Sequence, residues 1–570
     1  MTISARELKA SRETSPPSFP KLRKDFASAR SVSLTHCSRR MVWPEARAAV
    51  ARRAGRFPSL LEWPVAVIWA MAATGLLLLV IFDLSPPLAF NDDWMYAWSA
   101  GQLVAGHGLH VFPESTALAL VQVVWGAAFS LGHPDPRLLR LSMVPVVAVT
   151  AWCSYLLARR LGADQFWAAV AAATLLGMPL FLANATSFMS DTLYVGLVVA
   201  LAWSCLLWFR QGRWRWLCVS LLVLAPLQRQ IGLALIPAVM LGLLLFRWKT
   251  WTRADTAAAV AMWTLPAAIA YAAARLAVSH PLYSSLDVAA LDVGHAIFPL
   301  VPMLGLGVIP YAAALAFRPH SPGRDNWWSL AVATLAVVGA IGCLVDLARF
   351  GMIFPGNVFS PLGFTAILGG SKPPIFPRPV FQAVEIAAVI SFVMLLVVRR
   401  RWWTPRLLPP DGLVLILVGA AQFLPLLAVQ WFIYDRYFLP VIAPLVPLVA
   451  AVASGAARQP VARAWAAAAL AGGLILYVAG EQDYLAWQGA RDRAAHIAYQ
   501  LAPSDQVQAG FEANAIYVEL PNYERTGRAD LFAILGPEHP RITLRFAPAS
   551  DPAPGVSYAS LNPGRIVLAQ

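Results

Sequence analysis

Charged residues are scarce in this chain. Of its 570 residues only 13% are Asp, Glu, Lys or Arg, whereas 59% are hydrophobic and the mean hydropathy is +0.61. Soluble globular domains carry about 25% charged residues, so the composition excludes that class and indicates a polytopic membrane protein. The net charge of +14 lies mostly in short basic stretches between apolar runs, as topology signals do. We therefore predict membrane lipids as partners and no nucleic acid.

Cysteine is also rare, and the beginning of the sequence predicts no cleavable signal peptide. The five cysteines suggest no disulfide framework, because four lie in apolar segments and the polar C-terminal region has none. The first sixty residues are polar and Arg-rich and lack the apolar core of a signal peptide. We predict a disordered cytoplasmic tail over residues 1–60, with Met41 as an alternative start.

Apolar runs long enough to span a membrane recur along the chain. They occur near 62–83, 142–158, 165–184, 191–209, 216–246, 256–278, 296–317, 328–347, 380–398, 411–430, 438–456 and 463–480. The run at 216–246 is too long for one span and is interrupted by "APLQRQIG", which predicts two short helices meeting at a polar turn. The length rule then gives about 13 transmembrane helices.

The placement of Lys and Arg predicts the orientation. With the basic tail inside, the short loops on the cytoplasmic side are all basic, including "LLARRLG", "FRQGRWRW" and "VVRRRWWTPR". The segment 84–140 then becomes a large first outer loop. Its two apolar stretches, "WMYAWSAGQLVAG" and "ALALVQVVWGAAFSLG", suit helices lying at the membrane interface.

The last ninety residues are mostly polar and fall on the outer side. The stretch "EQDYLAWQGARDRAAHIAYQLA" has helical spacing, whereas "QVQAGFEANAIYV", "PRITLRFAP" and "GRIVLAQ" are typical of short strands. The predicted fold is thus an all-α polytopic membrane domain over 61–480, with interfacial helices in its first outer loop, followed by a small α/β domain over 481–570.

Ionisable residues stand beside several predicted spans on the outer side. Asp92 and Asp93 follow the first span, Asp191 opens a later run and Arg229 lies in the interrupted hairpin. Ionisable groups near a membrane cost free energy, so they usually line a polar cavity or have a function. Simpler readings stay open, because Asp92 or Asp191 could cap a helix and Arg436 could pair with the adjacent Asp435.

The order of these motifs resembles a known superfamily. The stretches "FNDDWMYAWSAGQLVAGHG", "GHPDPRLLRLS", "ATSFMSDTLYVG", "LQRQIG" and "YDRYFLPVIAP" together resemble the GT-C superfamily of polyprenyl-phosphate-sugar glycosyltransferases over residues 62–480. The nearest groups are the protein O-mannosyltransferases, the lipid A aminoarabinose transferases and the core-sugar transferases of lipopolysaccharide. The resemblance implies a GT-C-like fold and an outer-face transfer of a sugar from a lipid phosphate to an acceptor hydroxyl, usually with inversion.

The resemblance also implies catalytic acids. Asp92 matches the family's first acid and would remove the proton of the acceptor hydroxyl. Asp93 would orient the acceptor or take the base role itself, and Asp191 matches the second acid. The scheme requires no metal, although a divalent cation is compatible with it, and His107, His110 and His133 lack metal-ligand spacing.

The donor phosphate needs cations. Arg229 matches a hairpin position that is usually Lys in the family, and its fork could grip phosphate with two hydrogen bonds. Arg436, Arg137 and Arg140 are the further candidates for binding the donor phosphate.

The implied partners are a polyprenyl-phosphate sugar, with undecaprenyl phosphate as the lipid, and a glycolipid, polysaccharide or protein acceptor. The implied location is a bacterial inner membrane, with the N-terminus cytoplasmic and the C-terminus periplasmic. Two other classes stay open. A secondary transporter is disfavoured by acids at the rim and by the lack of an internal repeat. The second alternative class is a polymerase, ligase or non-catalytic envelope assembly protein on the same scaffold.

Overall fold

The structure is a computed structural model that describes residues 81–87, 90–113, 115–130, 132–277, 293–316, 327–354, 358–364, 368–370, 372–398, 410–428, 433–454, 459–529 and 536–569. The predicted tail over 1–60 and nearly all of the first predicted span lie outside the described residues.

Helices make up most of the described chain. They are α1 (Asp93–Val104), α2 (Leu120–Phe129), α3 (Pro136–Leu141), α4 (Met143–Arg160), α5 (Gln165–Leu176), α6 (Pro179–Ala185), α7 (Ser190–Gln211), α8 (Arg215–Gln228), α9 (Leu235–Arg247), α10 (Arg253–Ala277), α11 (Val293–Val308), α12 (Ala312–Ala316), α13 (Trp327–Phe350), α14 (Arg378–Val398), α15 (Pro410–Phe423), α16 (Leu439–Ser454), α17 (Pro460–Leu501), α18 (Phe511–Asn514) and α19 (Leu520–Thr526).

The helices are those of a polytopic membrane protein. Among the described residues, nine helices are long and apolar enough to cross a membrane, or ten if the bent pair α5 and α6, which meet at 60°, is one span. The prediction of about 13 spans also counted three further runs. These are the run at 62–83, the run at 328–347, which forms α13, and the helix α8, which is apolar but has only 14 residues. The most buried candidate spans, Ser190–Gln211 and Asp435–Ser454, lie at the centre of the bundle.

The predicted break in the 216–246 run is confirmed. Helix α8 ends at Gln228, Arg229 is extended with φ −145° and ψ 130°, and the 3₁₀ turn Gln230–Ala234 leads into α9. A Cβ on Gly232 would lie 2.6 Å from the backbone of Ala225 and Pro226, so only glycine allows this close approach.

The first outer loop contains α1 and α2 at the two predicted places, followed by the short helix α3. Helix α1 packs its Trp94 and Trp98 rings on Phe112, and Tyr523 of the C-terminal region closes the aromatic cluster. Helix α3 begins with Pro136 after Asp135, whose carboxylate caps it. The loop is therefore packed against the end of the chain.

Helix α17 has 42 residues and continues without interruption through residue 480, where the C-terminal domain was predicted to begin. Beyond it lies a small sheet, whose strands are β3 (Gly369–Gly370), β4 (Val507–Gln508), β5 (Ile542–Pro548), β6 (Gly555–Tyr558) and β7 (Gly564–Ala569). The order is β3-β5-β7-β6, with β4 also paired to β5. A separate hairpin joins β1 (Phe359–Ser360) to β2 (Gly363–Phe364).

Two of the three predicted C-terminal strands are confirmed, as β5 and β7. The third, "QVQAGFEANAIYV", is wrong beyond Gln508, because α18 and the π-helix Ala515–Glu519 follow. Gly510, at φ 87°, turns the chain out of the strand, and the Asn514 side chain accepts a hydrogen bond from the Ala509 N–H at 2.9 Å. These local bonds favour a helical turn over continued strand pairing.

Candidate active site

The adjacent acids Asp92 and Asp93 have different surroundings. Asn91 has a left-handed backbone, φ 61°, and α1 begins at Asp93, so the two side chains diverge. The Asp92 carboxylate makes no cap hydrogen bond to α1 and instead faces Arg436. The Asp93 carboxylate is fully buried and accepts a hydrogen bond from the Phe90 N–H at 2.7 Å.

Asp191 and Arg229 form a direct ion pair. Asp191 is the second residue of α7 and is only 1% exposed, and Arg229 occupies the extended break after α8. The Arg229 Nη1 donates to the Asp191 Oδ1. The break after α8 thus places the Arg229 guanidinium against the buried Asp191, which lies 38 residues earlier in the chain.

Arg436 completes the group from the far end of the sequence. It lies in the 3₁₀ turn Asp435–Phe438, which opens α16, and its side chain is 3% exposed. Its Nη2 is 3.5 Å from the Asp92 Oδ2, and its Nε is 3.9 Å from the Asp191 Oδ2. We call Asp92, Asp191, Arg229 and Arg436 the Arg–Asp cluster.

Tyrosine rings pack on the two guanidinium groups. The Tyr437 ring centre is 5.3 Å from the Arg229 Cζ and 5.6 Å from the Arg436 Cζ, and the Tyr434 ring is 5.3 Å from the latter. Cation–π contacts of this kind stabilise a cation that is removed from water. Nitrogen atoms of both guanidinium groups still face the two aspartates of the cluster.

The sequence prediction did not include these tyrosines. Tyr434 and Tyr437 flank Arg436 in "YDRYF", which was quoted only for its arginine. Tyr96 lies four residues after Asp92, and its hydroxyl accepts a hydrogen bond from the Ser190 hydroxyl at 3.4 Å. Residues four apart in a helix are neighbours on one face, so the position of Tyr96 relative to Asp92 could have predicted that the two lie together.

Polar atoms in the cluster lack hydrogen-bond partners. Within the described structure, the Arg436 Nε and Nη1 and the Asp191 Oδ2 are buried and accept or donate no hydrogen bond. Buried donors of a charged group are costly to leave unpaired. The arrangement is therefore suited to receiving an anion with oxygen acceptors at Arg436.

Asp92 has the properties of a proton acceptor. Its burial raises the pKa of the carboxyl above the ordinary Asp value, although the Arg436 guanidinium acts in the opposite direction. A carboxylate with a raised pKa takes a proton more readily than a solvated one. Its side chain is 13% exposed, so it is still reachable.

Asp435 holds the backbone around the cluster. Its carboxylate accepts hydrogen bonds from the N–H groups of Val358, Phe359 and Arg436 at 2.8 to 3.1 Å. The sequence left open a simple pair between Asp435 and Arg436. The structure instead directs the Arg436 guanidinium toward Asp92 and Asp191, while Asp435 fixes the turn that carries it.

Two other predicted phosphate ligands lie elsewhere. Arg140 donates to the carbonyls of Leu84, Pro86 and Pro87 at 2.6 to 3.1 Å, which clamps the segment that leads to Asp92. Arg137 is exposed, and its backbone N–H bonds to Asp135. The structure places neither guanidinium in the Arg–Asp cluster.

Asp93 also faces away from the cluster. Burial raises its pKa to about 7, against the opposing charge of Arg140, while Glu512 of the C-terminal region adds to the increase. Among the described residues, no group of three or more His, Cys, Asp or Glu could hold a metal ion. His107 and His110 bond within their own loop.

Fold and site together define a polytopic helical membrane protein with a buried cluster of two arginines and two aspartates. No family model matches the chain, and no curated protein matches it. The chain is similar to two crystal structures of ArnT from Cupriavidus metallidurans, one bound to undecaprenyl phosphate and one in the apo state. Each is 15% identical, with 89% of this chain and 98% of the other covered, and the TM-scores are 0.42 and 0.39.

Proposed function

We propose that the chain is a membrane glycosyltransferase of the GT-C type, which moves a sugar from a polyprenyl phosphate to an acceptor hydroxyl with inversion. The observation that carries the proposal is the Arg436 guanidinium, which is buried beside Arg229 and whose Nε and Nη1 have no hydrogen-bond acceptor in the described structure. A phosphate group supplies the oxygen acceptors that these donors lack.

The phosphate side of the reaction would use both arginines. When the sugar leaves, negative charge grows on the lipid phosphate, and preorganised cations in a site of low dielectric stabilise it. Arg229 is held by Asp191, and the Tyr437 ring packs on both guanidinium groups. The two cations are thus oriented before the substrate arrives.

The acceptor side would use Asp92. An inverting transfer needs one carboxylate to remove the proton of the attacking hydroxyl. Arg436, at 3.5 Å, favours the charged form of Asp92, while burial raises the pKa and makes the carboxylate a better base. Asp191 would order the arginines rather than meet the acceptor, because it pairs with both of them.

The proposal includes partners and a location. The donor would be an undecaprenyl-phosphate sugar, and the acceptor a hydroxyl of a glycolipid, polysaccharide or protein. The protein would lie in a bacterial inner membrane with the cluster at the periplasmic face. Apolar helices support a membrane location, and the basic turns support the orientation.

Binding of undecaprenyl phosphate tests the proposal directly. Purified protein in detergent should gain thermal stability as the lipid is added, because a ligand that binds the folded state stabilises it. We expect Arg436→Met to weaken the apparent affinity by about tenfold to a hundredfold, since charge-assisted hydrogen bonds are lost.

Arg210→Met is the matched control. Arg210 also pairs with an aspartate, Asp411, at 2.6 Å, but this pair involves none of the residues of the Arg–Asp cluster. The control should bind the lipid like the wild type. Equal binding by Arg436→Met and the wild type would contradict the proposal.

A further inference from the structure

Two buried glutamines connect the first outer loop to the Arg–Asp cluster. Gln122 lies in the first turn of α2, and Gln228 is the last residue of α8. Both side chains are 0% exposed. Buried amides in a membrane protein carry a desolvation cost that hydrogen bonds must offset, so their bonds indicate what they hold in place.

The two amides bond to each other and to the turn that precedes α7. The Gln228 Nε2 donates to the Gln122 Oε1 at 2.9 Å and to the Ser190 carbonyl at 2.9 Å. The Gln228 Oε1 accepts from the Gln122 N–H at 3.0 Å, and the Gln122 Nε2 donates to the Phe188 carbonyl at 2.5 Å. Three separate chain segments therefore meet at one pair of amides.

The positions of these bonds in the sequence are informative. Gln228 directly precedes Arg229, and Ser190 directly precedes Asp191. The hydrogen bond from the Gln228 Nε2 to the Ser190 carbonyl thus links the backbone next to each member of the ion pair. A planar amide with two donors fixes both the distance and the direction between those segments.

Helix α2 also contacts the segments that carry Gln228 and Phe188. The Ala119 N–H donates to the Gln228 carbonyl at 3.0 Å while Ala119 holds a left-handed backbone, φ 47°, which is unfavourable for alanine. One helical turn after Gln122, Gly126 lies so close to the Phe188 ring that a Cβ there would overlap the ring. Polar bonds and close packing together dock α2 beside Asp191 and Arg229.

We propose that Gln122 and Gln228 are positioning residues, which hold the Arg229–Asp191 pair in the geometry that receives the donor phosphate and make α2 part of the site. The inference rests on the proposed function only in taking a lipid phosphate as the ligand of Arg229. It assigns to helix α2 a task beyond the interfacial position that its sequence predicts.

Kinetics of Gln228→Leu test the role. Leucine removes the donors and leaves the Ser190 carbonyl and the Gln122 amide without their partner, so Arg229 loses its fixed position. We expect the KM for the polyprenyl-phosphate sugar and the inhibition constant of undecaprenyl phosphate to rise together by about tenfold, with the acceptor KM unchanged. A residue that only supports folding would instead lower kcat at constant KM.

Thr174→Val is the matched control. It removes another buried hydrogen bond between segments, which joins the hydroxyls of Thr174 and Tyr311 at 3.0 Å, and this pair involves no residue of the Arg–Asp cluster. The control should leave both KM values unchanged. A Gln228→Leu variant with the kinetic pattern of the control would overturn the inference.

A lipid-free measurement separates this inference from the proposed function. Phenylglyoxal modifies arginine side chains that it can reach. The rate of modification of Arg229 can be followed by peptide mass spectrometry. Gln228→Leu and Gln122→Leu should each raise that rate severalfold over the wild type and over Thr174→Val. Unchanged rates overturn the positioning role whatever the lipid assays show, whereas raised rates in a protein that binds no undecaprenyl phosphate overturn the proposed function alone.

Discussion

Residues 92 and 93 are chemically identical neighbours with different environments. The turn at Asn91 directs Asp92 toward Arg436, whereas Asp93 begins α1 and its carboxylate accepts a hydrogen bond from the Phe90 N–H. The sequence indicated that the acid pair stands near a site. It could not show which acid enters it, because that depends on an arginine 344 positions later.

Asp93 makes the folded protein sensitive to pH. Its pKa is about 7 in the folded state against 3.8 for an ordinary Asp, so the folded state binds the proton more tightly. The corresponding stability is fully present below about pH 4 and is lost as the pH rises to about 7. We expect Asp93→Asn, which is neutral throughout, to unfold at a temperature several degrees above the wild type at pH 8 and near it at pH 4.

Thermal unfolding in detergent from pH 4 to pH 8 measures this difference. Asp505→Asn changes an exposed carboxylate and should reproduce the wild-type profile. Parallel profiles of the wild type and Asp93→Asn would contradict the prediction, because they would mean that folding does not raise the pKa of Asp93.

The break between α8 and α9 is the element that gives Arg229 its direction. The pattern "APLQRQIG" predicted the break, since proline lacks an N–H and glycine permits close backbone contact. The pattern did not predict the Asp191 partner or the two glutamines, because these contacts join segments distant in sequence.

Gly232→Ala should distort this element. The new Cβ would stand 2.6 Å from the Ala225 carbonyl carbon and the Pro226 nitrogen, and backbone cannot rotate away as a side chain can. Overpacking of this kind costs about 1 to 3 kcal/mol. We expect a lower unfolding temperature and lower affinity for undecaprenyl phosphate, both measurable in one thermal-shift titration.

Gly472→Ala provides the comparison. Gly472 lies within α17, and nothing stands within 4 Å of a Cβ placed there. Alanine favours the helix by about 0.5 to 1 kcal/mol over glycine, so this variant should be as stable as the wild type or more stable. If Gly232→Ala behaved like Gly472→Ala, the close approach at the break would have no consequence.

The C-terminal elements show where pattern recognition fails. Strand β5 alternates apolar and polar residues, β7 has the apolar run 566–568, and both were predicted. The segment 511–519 also has apolar residues that suit a strand and yet forms helix. Buried polar residues favour the helix in this segment. Arg491 of α17 donates to Glu512 at 2.7 Å, and this bond depends on the packing of the helix against α17.

At the scale of the whole molecule, the C-terminal sheet is joined to the membrane bundle. Helix α17 continues into it, and β3 from the loop after α13 pairs in parallel with β5. Lys372 donates to Asp483 of α17 at 2.6 Å beneath Trp487 and Phe546. The predicted boundary at 481 could not anticipate these connections, since a run of polar residues does not reveal its partners.

The orientation of the chain is a prediction for the whole molecule. The predicted number of about 13 spans is odd, so with the basic loops inside the N-terminus would lie in the cytoplasm and the C-terminus in the periplasm. Alkaline phosphatase, which is active only in the periplasm, should be active when fused after residue 570 and inactive when fused after Gly212, in a basic loop. The opposite pattern would invert the proposed location of the Arg–Asp cluster.

The central claim is that Asp92 is the base of a sugar transfer. Membranes that contain the wild type, Asp92→Asn or Asp505→Asn should be supplied with a panel of radiolabelled polyprenyl-phosphate sugars, and the released lipid phosphate measured. Asn is nearly isosteric with Asp but cannot accept the proton, so we predict release by the wild type and Asp505→Asn and a rate lower by about a hundredfold or more in Asp92→Asn. Full activity of a folded Asp92→Asn protein would contradict the account.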